Sequence, residues 1–180
     1  MASFPDHAAP ADMSPIESTA EEFDAEIGPL LHDALRLATA MLGNVIDAED
    51  AVQEAAMRAW RRRGNRHPAT DLRPWFLAIV ANQCRDSLRS RWRRVLRFAD
   101  VPVPPRAPPG DPAIRTETRI ALSRLPHPIR LVLVLRYYLD LPYQDVATAA
   151  GCSVDAAKSR IRRGTASLKR TLADAEDARD

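Results

Sequence analysis

Two cysteines, Cys84 and Cys152, are all the chain has for thiol chemistry, and they stand far apart with no C-x-x-C pair. That excludes a disulfide framework and a cysteine-based zinc site. Each thiol is expected to act as a small, half-buried apolar residue. The four histidines, His7, His32, His67 and His127, are scattered, and neither a Gly-rich phosphate loop nor a nucleophile–base pair accompanies them. No metal centre, no cofactor and no enzymatic site are therefore expected. Long apolar runs are missing too. The longest, Leu131–Leu135, is far too short to cross a bilayer. The acidic N-terminus lacks an apolar core of signal-peptide length. A cytoplasmic protein without membrane insertion is expected. Strand-like alternation is absent throughout, which leaves an all-α chain.

What is present is proline, alanine, arginine and a separation of charge. Apolar residues make up 46% of the 180, enough to bury a core. The 15 prolines cluster at the start and in the middle, which favours two small helical units with flexible segments outside them. The net charge is only +2, but residues 1–57 carry twelve acids against Arg36 alone, whereas residues 58–97 carry twelve arginines against Asp71 and Asp86. Ordinary surfaces mix the signs. This separation points to one surface for an anionic polymer and another for a basic protein partner.

Residues 1–20 read as a disordered tail rich in Pro, Ala and acids. From Glu21 a helix is expected, with Phe23, Ile27, Leu30, Leu31, Ala34, Ala38 and Met41 on one face and Gly43-Asn44 ending it. A second helix is expected to start at Asp47 as N-cap, bury Ala48, Ala51, Val52, Ala55, Ala59 and Trp60, and close at Gly64. A third, capped by Thr70 or Asp71, has Trp75, Phe76, Ile79, Val80, Cys84 and Leu88 for a core, while Arg85, Arg89 and Arg93 line up at i, i+4 and i+8. Residues 98–112 hold six prolines and form neither helix nor interior strand. As an extended linker of roughly 15 residues they would reach on the order of 45 Å. The expected domains are thus 21–97 and 113–172, with a short acidic tail at 173–180.

The segment Tyr143–Leu168 has the logic of a helix-turn-helix. Ala147 is the small residue that a close helix crossing needs, Gly151 supplies positive φ for the turn, and Ser153 caps the following helix. That helix would bury Val154, Ala157, Ile161, Thr165 and Leu168 and present Lys158, Ser159, Arg160, Arg162, Arg163 and Lys169. Apolar residues then lock it in place while cationic donors reach phosphates and base edges.

These blocks resemble the sigma-70 family. Asp47-Ala-Glu-Asp-Ala-Val-Gln-Glu followed by Arg58-Ala-Trp60 is similar to its acidic helix. Trp75–Asn82 with Asp86 and Leu88-Arg89 is similar to its promoter-melting helix, and Leu125-Pro126, Arg136-Tyr137-Tyr138, Gly151-Cys152-Ser153 and Lys158-Ser159-Arg160 to its C-terminal domain. The order of the blocks, with no third domain between them, resembles the extracytoplasmic-function group over roughly residues 21–172.

The resemblance implies two helical domains that bind core RNA polymerase and promoter DNA. Asp47, Glu49, Asp50, Gln53 and Glu54 would meet the polymerase clamp helices. Asn82, Arg85, Asp86, Arg89 and Arg93 would hold the minus-ten element, with the Asn65–Arg73 loop as a pocket for an unstacked base. Tyr143, Ser153, Lys158, Ser159, Arg160, Arg162 and Arg163 would bind the minus-thirty-five element. An anti-sigma partner is common in the group. The reading that competes with it is a helix-turn-helix regulator acting without polymerase. Ala51, Ala55 and Ala56 depart from the family's bulkier residues and imply a looser first core, while Asp155 and Ala157 depart from its usual recognition helix, leaving the upstream sequence preference open.

Overall fold

Proline and glycine set the first breaks. The computed structural model describes residues 15–67, 69–98 and 116–177, and side-chain surroundings for 19–67, 69–90 and 118–174. Helix α1 (Pro15–Ile27) begins six residues ahead of the expected start at Glu21. The single helix expected as far as Gly43 is two, because Gly28-Pro29 interposes a 3₁₀ turn before α2 (Leu31–Leu42). Proline has no N–H for the helical ladder, and its ring meets the carbonyl four residues back. Gly43 ends α2 as expected, at φ 81°, with its N–H on the Thr39 carbonyl at 2.9 Å.

The cap of α3 (Val45–Arg62) is Asn44 rather than Asp47. The Asn44 Oδ1 accepts from the Asp47 N–H at 2.7 Å, and Asn44 Nδ2 donates back to Asp47 Oδ2 at 2.6 Å. Asp47 sits one turn in because the reciprocal pair satisfies an orphan donor and places a carboxylate at the positive helix end. Ala48, Ala51, Val52, Ala55 and Ala59 are buried as expected, whereas Trp60 is half-buried and α3 gives way at Arg62 to a 3₁₀ turn, Arg63–Asn65, that contains Gly64. Ala51 and Ala55 are 2% and 0% exposed, enclosed in one core with Leu37, Met41, Phe76 and Leu77. The long helix α4 (Leu72–Phe98) carries Phe76, Val80 and Cys84 fully buried. Burial pushes the Cys84 thiol up to about 12, so it behaves as an apolar residue.

In the C-terminal half, α5 (Thr116–Ser123), α6 (His127–Leu133), α7 (Tyr143–Ala150) and α8 (Val154–Asp177) surround the run Leu131–Leu135. α8 continues through most of the segment expected as a tail. A π-helical turn, Val134–Tyr138, extends α6, and two residues beyond it Asp140 adopts φ 52° in the left-handed region. Gly164, absent from the expected stripe, is the closest approach: a Cβ there would meet Ile129 Cγ2 at 2.6 Å and Leu133 Cδ1 at 2.7 Å. The linker expected at 98–112 lies outside the described residues apart from Phe98 at its edge.

The two halves are not merely strung together. α4 packs on α7, and α2 touches α6 and the π turn. Arg36 Nη2 donates to the Tyr138 carbonyl at 2.8 Å, with its guanidinium 4.0 Å from the Tyr138 ring centroid. Arg73 Nη2 donates to the Leu139 carbonyl at 2.9 Å while also holding Asp33 at 2.6 Å. The two arginines thus satisfy carbonyls left open where the α6–π helix stops. No described helix is long and apolar enough to cross a membrane.

Candidate nucleic-acid interface

Helix α3 turns its alanine stripe inward and its acceptors outward. Glu49, Asp50 and Gln53 are exposed, and none of the three has an intramolecular ion pair or hydrogen bond among the described residues. Asp47 is half-buried in the cap, and Glu54 is held by Arg58 Nε at 3.1 Å. Ile46 and Met57, 73% and 49% exposed, share that face by helical spacing (46, 50, 53, 57). Sequence reasoning passed over both, although the spacing carried the signal.

On α4, Asn82, Arg85, Asp86 and Arg89 are exposed. The Arg85 guanidinium donates to Asn82 Oδ1. Asp86 takes Arg58 Nη1 at 3.4 Å, so Arg58 joins Glu54 on α3 to Asp86 on α4 as one continuous surface. The side chain of Arg93 lies outside the described residues. The loop before α4 is organised by Arg66 Nη1 on the Thr70 carbonyl at 2.7 Å and by Thr70 N–H on the His67 carbonyl at 2.8 Å. Of the expected core aromatics, Phe76 is fully buried and Trp75 half-buried.

The helix-turn-helix forms as expected. Gly151 adopts φ 60° at the end of α7, and its N–H and that of Cys152 close on the Thr148 and Ala147 carbonyls at 3.2 and 3.0 Å. Ser153 Oγ accepts from the Ala156 N–H at 3.2 Å, which caps α8. Ala157 and Ile161 are buried, while Val154, Thr165 and Leu168 are half-buried. Lys158, Arg162 and Arg163 are exposed; Ser159 and Arg160 are half-buried. Tyr143 lies between two cations, Arg136 at 5.0 Å and Lys158 at 5.9 Å from its ring centroid. With Asp155, Lys158, Ser159 and Arg162 it lines an open groove of about 350 Å³. Asp155, 96% exposed in the first turn of α8, reaches Lys158 at 3.9 Å. An acid there suits the helix dipole and leaves the cationic face intact.

Helix α8 and Arg85 of α4 meet across the domain junction. Asn82 and Arg85 of α4, His127 and Pro128 of α6, Ala149–Gly151 and Arg160 of α8 line one cleft of about 410 Å³. His127 sits there with its Nε2 buried and without a protein partner. Burial first, then the charges of Arg130 and Arg85, hold its pKa down at about 4. Burial also lowers that of Arg130. Among the described residues no group of His, Cys, Asp and Glu side chains is placed to hold a metal ion.

Comparison with known proteins matches residues 27–94 to the family model "Sigma-70 region 2" and residues 118–168 to "Sigma-70, region 4". The chain is 33% identical over 146 residues to a probable RNA polymerase sigma factor, RfaY, of Xanthomonas campestris, covering 76% of this chain and 36% of the relative's length. With the ECF RNA polymerase sigma factor EcfG of Rhodopseudomonas palustris it shares 33% identity over 139 residues, covering 75% of this chain and 76% of the relative. The fold is similar to that of the sigma factor RpoE of Bartonella quintana, solved in complex with the anti-sigma factor NepR. That match has a TM-score of 0.74 and 24% identity, and covers 84% of this chain and 97% of the other. Two region models in order, on a surface split between an acidic α3 and a basic α8, place the chain in the sigma-70 family of RNA polymerase sigma factors, in its extracytoplasmic-function group.

Proposed function

We propose that this chain binds core RNA polymerase through the outer face of α3 and directs it to promoters, opening the strands at the minus-ten element. The observation that carries this reading is the pairing of unlike faces within one domain. Glu49, Asp50 and Gln53 present unengaged acceptors beside exposed Ile46 and Met57, and α4 presents Asn82, Arg85 and Arg89. The first surface suits a basic protein helix; the second suits phosphates and an unstacked base, whose extraction costs a few kcal/mol. Arg58 couples the two by holding both Glu54 and Asp86.

The capped helix α8 binds the minus-thirty-five element in the major groove. Lys158, Arg162 and Arg163 reach phosphates and base edges, and Tyr143 with Ser153 and Ser159 completes the approach. In the closed arrangement Asn82 and Arg85 share a cleft with Arg160, so the initiating form separates the domains before both meet DNA. An anti-sigma protein that favours the closed form is a natural regulator, and the relative of similar fold was solved with one. The chain acts in the cytoplasm, where polymerase and promoters are. Run-off transcription with core enzyme and genomic fragments tests the proposal. Discrete start sites that depend on this chain are expected; specific DNA binding without any polymerase contact would instead identify a free-standing regulator.

A further inference from the structure

The cleft between the domains gathers, in one space, cations that promoter recognition assigns to two separate DNA elements. Arg85 from α4, His127 from α6 and Arg160 from α8 converge on about 410 Å³, and no carboxylate is among the lining residues. Among the described residues neither Arg85, which donates to Asn82 Oδ1, nor Arg160 has an ion-pair partner, and the His127 Nε2 has no hydrogen-bond partner. Arg130, whose charge is felt at His127, is half-buried and leaves its own Nε unpartnered. α7 adds only Ala149, Ala150 and the Gly151 turn, which bring no charge and leave open space above Gly151.

Cations drawn together in a half-enclosed space repel one another, and a lowered dielectric strengthens the repulsion. Yet Arg36 and Arg73 each hydrogen-bond across the same junction. A counter-ion removes that conflict. Guanidinium forks match phosphate oxygens better than a halide, and the volume suits a small molecule carrying one or two phosphates. We propose that this cleft binds a small phosphate-bearing anion, and that the bound anion holds the two domains closed. Arg85 and Arg160 grip the phosphate from opposite domains and the His127 Nε2–H donates to it. The occupied cleft covers Asn82 and Arg85, so the anion opposes promoter engagement.

The test uses the full chain with pyrophosphate as probe, following each histidine by NMR and overall dimensions by X-ray scattering. Pyrophosphate should raise the His127 pKa from about 4 toward its ordinary 6.5 and keep the molecule in its compact form. Arg160→Gln should weaken binding about tenfold, the loss of one charge-assisted contact, with Arg85→Gln as the second arm should the first variant fail to fold. A short single-stranded oligonucleotide separates the sources of phosphate: it should expand the molecule rather than compact it. An unmoved His127 at millimolar pyrophosphate, unchanged affinity in both variants, or compaction by the oligonucleotide alone would each overturn the proposal.

Discussion

The outer faces of α3 and α8 are both charged, but they are built differently. α3 mixes acceptors with large exposed apolar side chains, Ile46 and Met57. α8 shows no large exposed apolar side chain among its described residues and offers Lys158, Arg162, Arg163 and Lys169 instead. A protein interface needs apolar anchors inside a polar rim, whereas binding to a phosphate backbone is driven by cations that displace counter-ions. The sign of a charged face therefore says less about its partner than the company its charges keep. Both faces rest on the same kind of support, a stripe of small or branched residues locked into one core: Ala48, Ala51, Ala55 and Ala59 in α3, Ala157 and Ile161 in α8.

That contrast breaks most completely if the support is removed. Phe76 is fully buried beneath the first domain, and Phe76→Ala should destabilise it by about 3–5 kcal/mol. Denaturant unfolding checks this, and the loss should extend to the α4–α7 junction. Arg160→Ala should cost about 1–3 kcal/mol at particular bases, seen as relaxed selection from a randomised minus-thirty-five library. Met57→Ala should weaken polymerase binding by about 1–2 kcal/mol as an interface anchor, while leaving the salt dependence of DNA binding unchanged. Lys158→Ala should do the converse, weakening all promoters alike and lowering the salt slope by about one.

The smallest expected effect is on pH. His127 is held at about 4 when folded against an ordinary 6.5. The unfolded chain therefore takes up a proton that the native one refuses as pH falls through that window. The His127 contribution to stability should be level above about pH 6.5 and decline toward pH 4. Thermal melts should show His127→Gln flattening that decline.

Much of this was legible in the sequence. The alanine stripe of α3, the Gly43 and Gly151 ends and the Ser153 cap all follow from spacing and from local backbone chemistry. The N-terminal break was missed because the apolar pattern runs straight through Gly28-Pro29, and a single proline outweighed it. The true cap was missed because Asn44 and Asp47 both satisfy the rule, and only the reciprocal hydrogen bonds decide between them. What periodicity could not reveal was the meeting of the halves. Arg36 and Arg73 each look like ordinary surface cations in one dimension, and their acceptors are carbonyls 102 and 66 residues away. Likewise, Gly164 reads as a weak point in a helix until Ile129 and Leu133 are seen against it.

The proposal rests most heavily on α3 gripping polymerase. Titrating the intact chain and its Asp50→Arg variant against core enzyme at modest ionic strength addresses that directly. Saturable binding by the intact chain is predicted, with at least about a tenfold loss when an acceptor becomes a like charge facing a basic helix. Equal binding by the two proteins, or none by either, would contradict it.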